Sequence, residues 1–425
     1  MGKMKGVLCH ITSLPNQNLK DAQTFISLLS KNNIDAWQML PITPPDIHGS
    51  PYSSPSAFAG WSSLTNERKC AKMDEEDYWL NDWALFTTIK SHFKGLPWTE
   101  WPEPLKNRDP DALKEWKEKC IPEFTNQACF QHAWFEMKNL AEKENVKLIG
   151  DLPIFVAHDS ADVWAHRELF QLDENGLPLV VAGVPPDYFS EDGQKWGTVL
   201  YRWEAHKQEN WRWWKERMGR MLRLFDMVRI DHFRGFHSAW AIPTQDENAK
   251  NGVWQDGPKD ELIQALIEVS QSKEKIIAED LGIIPQEVTE LRIRTGLRGM
   301  AVLQFGFDGE LNSNPHHPKN INELQVVYTG THDNNTTLGW WNESDAGRKK
   351  RIMKLLKNND DVVSGCIKLA LNSKASMAII PLQDILKLNS DSRMNTPGTT
   401  NNNWKWSFFW DDFLINQIAW FGSLS

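Results

Sequence analysis

Several residue types are scarce in this 425-residue chain, and each scarcity excludes a class of protein. Only five cysteines occur, an odd number without the close pairing of a zinc site, so we expect reduced thiols and no bound metal. No apolar run reaches the length of a signal peptide or a membrane span. These two features predict a cytoplasmic protein with no membrane partner.

Basic side chains are too few for a protein that binds nucleic acid. The chain has 47 Lys and Arg residues against 56 Asp and Glu, which gives a formal net charge of −9. Nucleic-acid binding requires a clustered positive surface, so we expect no such partner. A hydrophobic fraction of 40% is typical of globular proteins and allows one large barrel or two to three smaller domains. The sequence gives no indication of the oligomeric state.

Tyrosine is also rare, with 5 residues against 22 tryptophans. Tryptophan combines a flat apolar ring with one N–H donor, so an excess has two interpretations. The rings fill a core, or some of them line a cleft for a ligand with apolar C–H faces, such as a sugar. Composition alone favours the first interpretation.

Eight short apolar runs recur along the chain, and most of them end in a polar or charged residue. They cover residues 7–11, 36–40, 148–151, 227–231, 276–280, 302–305, 326–329 and 377–382. Between them lie amphipathic stretches that predict helices over 21–30, 126–144, 210–225, 259–270 and 345–357. Buried strands that alternate with helices indicate βαβ units, and eight in series predict an α/β fold, a (β/α)8 TIM barrel.

Two regions interrupt this alternation. Residues 43–145 include stretches rich in Pro, Ser and Trp, and predict a shortened insertion on the C-terminal face of the barrel. Residues 390–407 are rich in Asn, Thr, Pro and Gly, and predict a loop on the active side after the last strand. We expect residues 1–425 to form a single catalytic barrel without a separate C-terminal β-domain.

Three of the apolar runs lead into a carboxylate: Asp231, Glu279 and, shortly after the seventh run, Asp333. Because reacting groups in barrel enzymes stand at the C-terminal ends of strands, we expect the three to converge. One carboxylate at such a position would more often be a helix cap or an ion-pair partner. Together they suit glycoside chemistry, in which one carboxylate attacks the anomeric carbon and a second protonates the departing oxygen.

The neighbours of two of these acids favour the same interpretation. Arg229 precedes Asp231 by two residues, so both side chains lie on one face of an extended strand. A guanidinium there would keep the aspartate ionised. His232 and His332 adjoin Asp231 and Asp333, and each could bond a sugar hydroxyl, although a lone histidine is more often structural.

Longer segments around these residues resemble the 4-alpha-glucanotransferases known as amylomaltases or disproportionating enzymes, glycoside hydrolase family 77. The matching segments follow the family's order along nearly the whole chain: 6–15, 49–60, 150–157, 183–190, 193–197, RIDHFRG at 229–235, AEDLG at 278–282, GTHDN at 330–334 and RMNTPG at 393–398. Several long motifs in order make a far more specific signal than one short pattern.

The resemblance implies a retaining glucan transfer with no cofactor, in which Asp231 is the nucleophile, Glu279 the general acid/base and Asp333 the transition-state stabiliser. It implies an α-1,4-glucan donor and a glucose or maltooligosaccharide acceptor as partners. The implied substrate-binding residues are Tyr52, Asp151, Trp196, Arg229, His232 and His332, with Tyr52 stacked on the sugar at the cleavage point and Trp196 on the acceptor side. Asp187 also falls in a matching segment, and whether it touches substrate stays open.

The two catalytic roles require opposite protonation states. Glu279 must hold a proton near neutral pH, so we expect burial and nearby anions to raise its pKa, while Asp231 beside Arg229 should stay charged. A retaining reaction also predicts roughly 5 to 5.5 Å between the two carboxyl groups.

Two other functions stay open: an α-amylase-type hydrolase on the same barrel, and a non-catalytic glucan-binding protein. The segment 151–158 lacks the Asn-His ending that such amylases usually carry near a calcium ion, which argues against the hydrolase. The chain also departs from the family pattern after Pro15, in the short region 61–145, and at His158. Incubation with maltotriose separates the three functions: a transferase yields glucose and longer oligomers, a hydrolase yields glucose and maltose, and a binder yields neither.

Overall fold

The structure, a computed structural model, describes residues 3–71, 73, 76–186, 191–356 and 360–424. The strands among them are β1 (Met4–Leu8), β2 (Ala36–Gln38), β3 (Lys147–Pro153), β4 (Val156–Ala157), β5 (Val180–Val184), β6 (Gln194–Val199), β7 (Met227–Asp231), β8 (Ser238–Pro243), β9 (Val253–Asp256), β10 (Ile276–Ala278), β11 (Gly299–Val302), β12 (Gln325–Tyr328) and β13 (Met377–Pro381).

The α-helices are α1 (Leu19–Lys31), α2 (Asp77–His92), α3 (Glu103–Lys106), α4 (Pro110–Lys114), α5 (Ile121–Lys143), α6 (Ala161–Ala165), α7 (Trp203–Gln208), α8 (Arg212–Leu224), α9 (Lys259–Ser270), α10 (Gln286–Thr295), α11 (Thr337–Glu343), α12 (Ala346–Met353), α13 (Val362–Leu371), α14 (Leu382–Ile385) and α15 (Asp412–Ser423). Short 3-10 helices cover Ile11–Ser13, Pro51–Ser53, Ser62–Leu64, Trp98–Glu100, Arg167–Leu169, Phe233–Phe236, Lys273–Lys275, Leu303–Phe305 and Ser390–Ser392.

Eight strands form the parallel barrel that the apolar runs predicted. Around the barrel they follow chain order, β1, β2, β3, β7, β10, β11, β12 and β13, and β13 pairs with β1. Between β10 and β11 the barrel closes through a backbone hydrogen bond from the Ala278 N–H to the Arg298 carbonyl, 2.7 Å long. The (β/α)8 fold class is therefore confirmed.

Six of the predicted runs extend beyond the strands that they identify, and the first and the sixth extend furthest. The first run continues to Ile11 although β1 ends at Leu8, and the sixth covers 302–305 although β11 ends at Val302. Ile11 and Leu303 are fully buried in 3-10 helices that follow these strands. An apolar run reports burial, and burial continues here past the strand end.

The helix α1 shows how the sequence builds the outer ring. Asn18 caps it by accepting hydrogen bonds from the N–H groups of Lys20 and Asp21. Buried residues recur at helical spacing along it: Leu19, Ala22, Phe25, Ile26 and Leu29. Four other predicted helices overlap α5, α8, α9 and α12, and α5 packs against both α1 and α8. Residues 43–145 thus contain α2 to α4 and also α5, a helix of the outer ring.

A second, antiparallel sheet extends from the loops that follow β3 and β7. Its strand order is β4, β6, β5, β8 and β9. The sequence alternation did not predict these strands, because β6 and β9 are largely exposed and mix polar with aromatic residues. This sheet carries Trp196 on β6. In the described chain, the residues after β13 form helices and loops.

Half of the tryptophans serve the core, as composition suggested. The buried ones are Trp37, Trp79, Trp83, Trp98, Trp101, Trp116, Trp134, Trp164, Trp211, Trp213 and Trp214. By contrast, Trp196 and Trp254 are exposed. The barrel interior is filled by a separate apolar cluster that includes Leu8, Ile149 and Ile277. Because the interior is filled, ligands reach only the mouth of the barrel.

The cysteines differ from the expectation of reduced thiols. Cys70 and Cys129 form a disulfide with Cα atoms 5.2 Å apart, which attaches the segment before α2 to α5. Their separation of 59 residues carries no local pattern that would identify the pair from sequence. Cys9, Cys120 and Cys366 are free and buried. Among the described helices, none combines the length and apolarity needed to cross a bilayer.

Candidate active site

The three acids stand at the same end of the barrel. Asp231 is the last residue of β7, Glu279 follows β10 directly, and Asp333 lies in the loop after β12. Asp231 and Asp333 line an open cleft together with four other residues singled out from the sequence: Tyr52, Trp196, His232 and His332. Glu279 is buried beside them and accepts a hydrogen bond from the backbone of His232.

A buried guanidinium connects two of the carboxylates. Arg229 Nη1 bonds Asp151 at 2.7 Å, and its Nη2 lies 2.9 Å from Asp231 Oδ1. The pairing of β3 with β7 places Asp151 directly beside Arg229. Tyr52 donates its hydroxyl to Asp151 Oδ2 at 2.7 Å, which extends the chain of contacts to the cleft wall. One continuous network therefore runs from Tyr52 to Asp231.

The backbone at His232 turns sharply and orients Glu279. Its φ of +51° lies in the left-handed region, which is uncommon for a residue other than glycine and recurs at functional sites. From this position its N–H bonds Glu279 Oε2 at 2.5 Å, and the Leu281 N–H bonds Oε1 at 2.9 Å. Both carboxyl oxygens of Glu279 are therefore fixed by the backbone.

Asp333 is held by the loop that follows the last barrel strand. The side-chain amide of Asn395 donates to Asp333 Oδ1 at 2.6 Å, and Arg393 Nη2 donates to the Asp333 carbonyl at 2.5 Å. His332 Nε2 lies 3.3 Å from the same Oδ1. Arg393 and Asn395 belong to the matching segment 393–398, but nothing in the sequence predicted a site role for them.

Aromatic rings form one wall of the cleft. Tyr52 stacks on His332 with ring centres 5.1 Å apart, and Trp404 tilts against both rings. Trp404 has a left-handed φ of +64°, and sequence reasoning did not single it out. The one sequence feature that could have identified Trp404 is an indole in the Asn-rich loop 390–407. On another wall, Trp196 is 37% exposed and meets the His232 ring edge to face at 4.8 Å.

Burial raises the pKa of both central acids. For Asp231 the carboxylates of Asp151, Glu279 and Asp333 add to the effect of burial, while Arg229 opposes it. For Glu279 burial also dominates, and Arg229 together with the two backbone donors lowers its pKa in part. The expected rise of the Glu279 pKa is therefore found, whereas at Asp231 burial, together with the neighbouring carboxylates, outweighs Arg229, which was expected to keep this residue charged.

The two histidines of the cleft are neutral near neutral pH. Burial lowers the pKa of His232 to about 3 and also lowers that of His332. A neutral imidazole offers one donor and one acceptor, which suits sugar hydroxyls. Asp187 lies outside the described residues. Within them, no group of three or more His, Cys, Asp or Glu side chains is arranged to hold a metal ion.

Comparison with known proteins gives consistent matches over most of the chain. The model of glycoside hydrolase family 77, described as 4-alpha-glucanotransferase, matches residues 9–69 and 62–410. The chain is 39% identical to the 4-alpha-glucanotransferase of Thermus thermophilus over 94% of each protein. It is 38% identical to the chloroplastic/amyloplastic 4-alpha-glucanotransferase of Solanum tuberosum, over 94% of this chain and 81% of that one.

A solved structure agrees with the sequence matches. The amylomaltase of Streptococcus agalactiae, determined in complex with acarbose, superposes with a TM-score of 0.92 at 30% identity, covering 99% of each chain. The amylomaltase of Corynebacterium glutamicum shares the fold with a TM-score of 0.78 at 14% identity, over all of this chain and 75% of that one.

Proposed function

Because the chain belongs to the 4-alpha-glucanotransferases of glycoside hydrolase family 77, we propose that it transfers α-1,4-glucan segments between maltooligosaccharides by a retaining double displacement. The observation that carries this proposal is that Asp231 lines the cleft and that Glu279 is buried beside it, bonded to the residue that follows Asp231. Asp231 is oriented by Arg229, and Glu279 is fixed by two backbone N–H groups.

In the first step Asp231 attacks the anomeric carbon of the donor glucose. A bond forms between its carboxylate oxygen and C1 while the bond from C1 to the glycosidic oxygen breaks. Glu279 gives its proton to that oxygen, and the shortened glucan leaves. Burial favours the protonated form of Glu279, as this step requires.

In the second step an acceptor hydroxyl replaces the enzyme. Glu279, now ionised, takes the proton of the acceptor 4-hydroxyl, whose oxygen attacks C1 and releases Asp231. Two inversions retain the α configuration. The acceptor is glucose or a maltooligosaccharide, and the protein needs no cofactor for either step.

The remaining site residues bind and orient the reacting glucose. Asp333 would accept hydrogen bonds from hydroxyls of the distorted ring, and these hydrogen bonds would become stronger in the transition state. Tyr52 would stack on the ring at the cleavage point, and His232 and His332 would bond its hydroxyls. Asp151 and Arg229 are too buried to dominate sugar binding, and would act mainly by fixing Tyr52 and Asp231.

Transfer instead of hydrolysis requires the ester to persist until a sugar arrives. Trp196 presents an exposed indole at the cleft, where it would hold the acceptor ring and displace water from C1. Residues 390–407 would form the opposite wall, since this loop contacts Asp333 through Asn395 and supplies Trp404. The single-domain organisation and a cytoplasmic location stay predictions.

Incubation with maltotriose tests the proposal. Glucose together with maltopentaose and longer products, lost in Asp231→Asn, supports transfer by this site. Glucose and maltose without longer products would identify a hydrolase. An unchanged substrate would contradict catalysis on α-1,4-glucans.

A further inference from the structure

A carboxylate that the proposed mechanism does not use is buried behind the catalytic loop. Asp384 lies on α14, directly after the last barrel strand, and is 1% exposed. Its two oxygens accept three hydrogen bonds. Oδ1 accepts the Thr337 N–H at 2.7 Å, and Oδ2 accepts the hydroxyls of Thr337 at 2.7 Å and Thr329 at 2.6 Å.

These bonds join the two ends of one short segment. Thr329 follows β12, and Thr337 begins α11. Residues 330–336, which we name the Asp333 loop, lie between them and carry His332 and Asp333. A single buried carboxylate thus closes the base of this loop.

The rest of the loop is also bonded internally and to its neighbours. Asn334 Oδ1 accepts from the N–H and the hydroxyl of Thr331 at 2.8 and 2.9 Å. The Gln304 side-chain amide donates to the Asn335 carbonyl at 2.8 Å. Asp333 at the tip therefore has its position set by the base, by these cross-links, and by Asn395 on the cleft side.

A carboxylate is an unfavourable side chain for a buried position. Removing its charge from water costs free energy unless hydrogen bonds compensate, and an apolar side chain would fill the volume without that cost. Thr329 and Thr337 are also buried, so each of the three donors would lose its partner if Asp384 were apolar. The carboxylate instead fixes the distance between the end of β12 and the start of α11.

We propose that Asp384 is a positioning residue for the transfer reaction, which holds Asp333 at the reacting glucose by tying both ends of the Asp333 loop. The inference rests on the proposed role of Asp333. Since the bonds of Asp333 to the sugar strengthen in the transition state, a displaced loop lowers kcat more than it raises KM.

The first variant is Asp384→Asn, which keeps the size of the side chain. Its amide oxygen can still accept the Thr337 N–H, but an NH2 group replaces the oxygen that accepted two hydroxyls. Displacement of a reacting group by about 1 Å costs up to about a hundredfold in rate, so we expect kcat to fall roughly tenfold to a hundredfold. KM should change less than about twofold.

Two milder variants and one control support this measurement. Thr329→Val and Thr337→Val each remove one hydroxyl with little change of shape, and each should lower kcat by about threefold to tenfold, roughly the worth of one hydrogen bond. If Asp384→Asn fails to fold, these two carry the test. Asp21→Asn is the control, because Asp21 is a buried carboxylate that bonds Asn16 at the start of α1. It should leave kcat per folded molecule unchanged.

A double-mutant cycle with Asp333→Asn separates positioning from general stabilisation. α-Maltosyl fluoride serves as donor, because its good leaving group keeps slow variants measurable, and rates are normalised to folded protein. We expect the loss caused by Asp384→Asn to shrink to less than about twofold in the Asp333→Asn background. An equal loss in both backgrounds would overturn the positioning role. A wild-type rate for Asp333→Asn itself would instead overturn the proposed function.

Discussion

Arg229 and Asp231, two residues apart on β7, face the same side of the strand and form an ion pair of 2.9 Å between Nη2 and Oδ1. The second nitrogen of the same guanidinium holds Asp151 on the neighbouring strand. The nucleophile is thus attached to the barrel wall, and only one of its oxygens is committed to that contact. The Arg229 guanidinium therefore determines the orientation of the Asp231 carboxylate in the site.

Replacing Arg229 with lysine tests that contact. A lysine ammonium is a point charge on a flexible chain and cannot reproduce the planar bridge between two carboxylates. Loss of one charge-assisted bond costs about 1.5 to 3 kcal/mol, so kcat/KM should fall roughly tenfold to a hundredfold. The control is Arg348→Lys, since Arg348 bonds both oxygens of Asp308 away from the cleft. Equal effects in the two variants would contradict a specific role for Arg229.

The pH profile tests the protonation states. Burial raises the pKa of Asp231. As the solution is acidified, Asp231 therefore loses its reactive ionised form at a higher pH than a free aspartate does. Burial likewise keeps Glu279 protonated to a higher pH than a free glutamate. Both limbs of the pH profile of kcat/KM should therefore lie at higher pH than those of two free carboxylic acids. The apparent pKa values of the profile belong to the interacting pair and not to one residue.

Glu279→Gln assigns the two limbs. When α-maltosyl fluoride is the donor, the fluoride ion leaves without protonation by an acid. The pH profile of the first step in this variant should therefore keep its acidic limb, which reports Asp231, and lose its basic limb, which reports Glu279. An acidic limb at or below about 3.9, the pKa of a free aspartate, would contradict the effect of burial.

Trp196→Ala tests how the site favours transfer. Without the exposed indole, water replaces the acceptor ring more often, so the ratio of hydrolysis to transfer should rise severalfold, since stacking on an aromatic ring is worth about 0.5 to 1.5 kcal/mol. Trp254→Ala is the matched control, because Trp254 is 43% exposed on β9 and does not line the described cleft. Free glucose and oligomer yields from maltotriose give the ratio. An unchanged ratio in Trp196→Ala would contradict its acceptor role.

Asn395→Ala tests the contact between the loop 390–407 and Asp333. The lost bond is charge-assisted and 2.6 Å long, so kcat should fall by about tenfold or more. Steady-state kinetics with maltotriose measure the effect, and Asn403→Ala, in the same loop, controls for loop disturbance. An equal fall in both variants would show that the loop as a whole, and not this bond, supports Asp333.

The sequence predicted what depends on local patterns. Parallel barrel strands are buried on both faces, so all eight appeared as apolar runs, and the acids at their ends followed from strand polarity. The antiparallel sheet was missed because residues of β6 and β9 are exposed and give no clear alternation. The site roles themselves stay predictions, although the structure brings six of these residues to one cleft and buries Asp151, Arg229 and Glu279 behind it.

Contacts between distant segments could not be predicted from the sequence. Asp151 reaches Arg229 only because β3 pairs with β7, and its charge adds to burial in raising the pKa of Asp231, which Arg229 alone was expected to keep charged. Asn395 and Trp404 depend on how a long loop folds over the cleft, and the disulfide of Cys70 depends on the position of α5.

Trapping of the glycosyl-enzyme ester tests the central claim most directly. In Glu279→Gln, α-maltosyl fluoride should still glycosylate the nucleophile, while the second step, which needs a base, is slowed. Peptide mass mapping of the quenched protein should then find one maltosyl unit on the peptide that contains Asp231. A maltosyl unit on another carboxylate, or transfer that proceeds with inverted product and no adduct, would contradict the account.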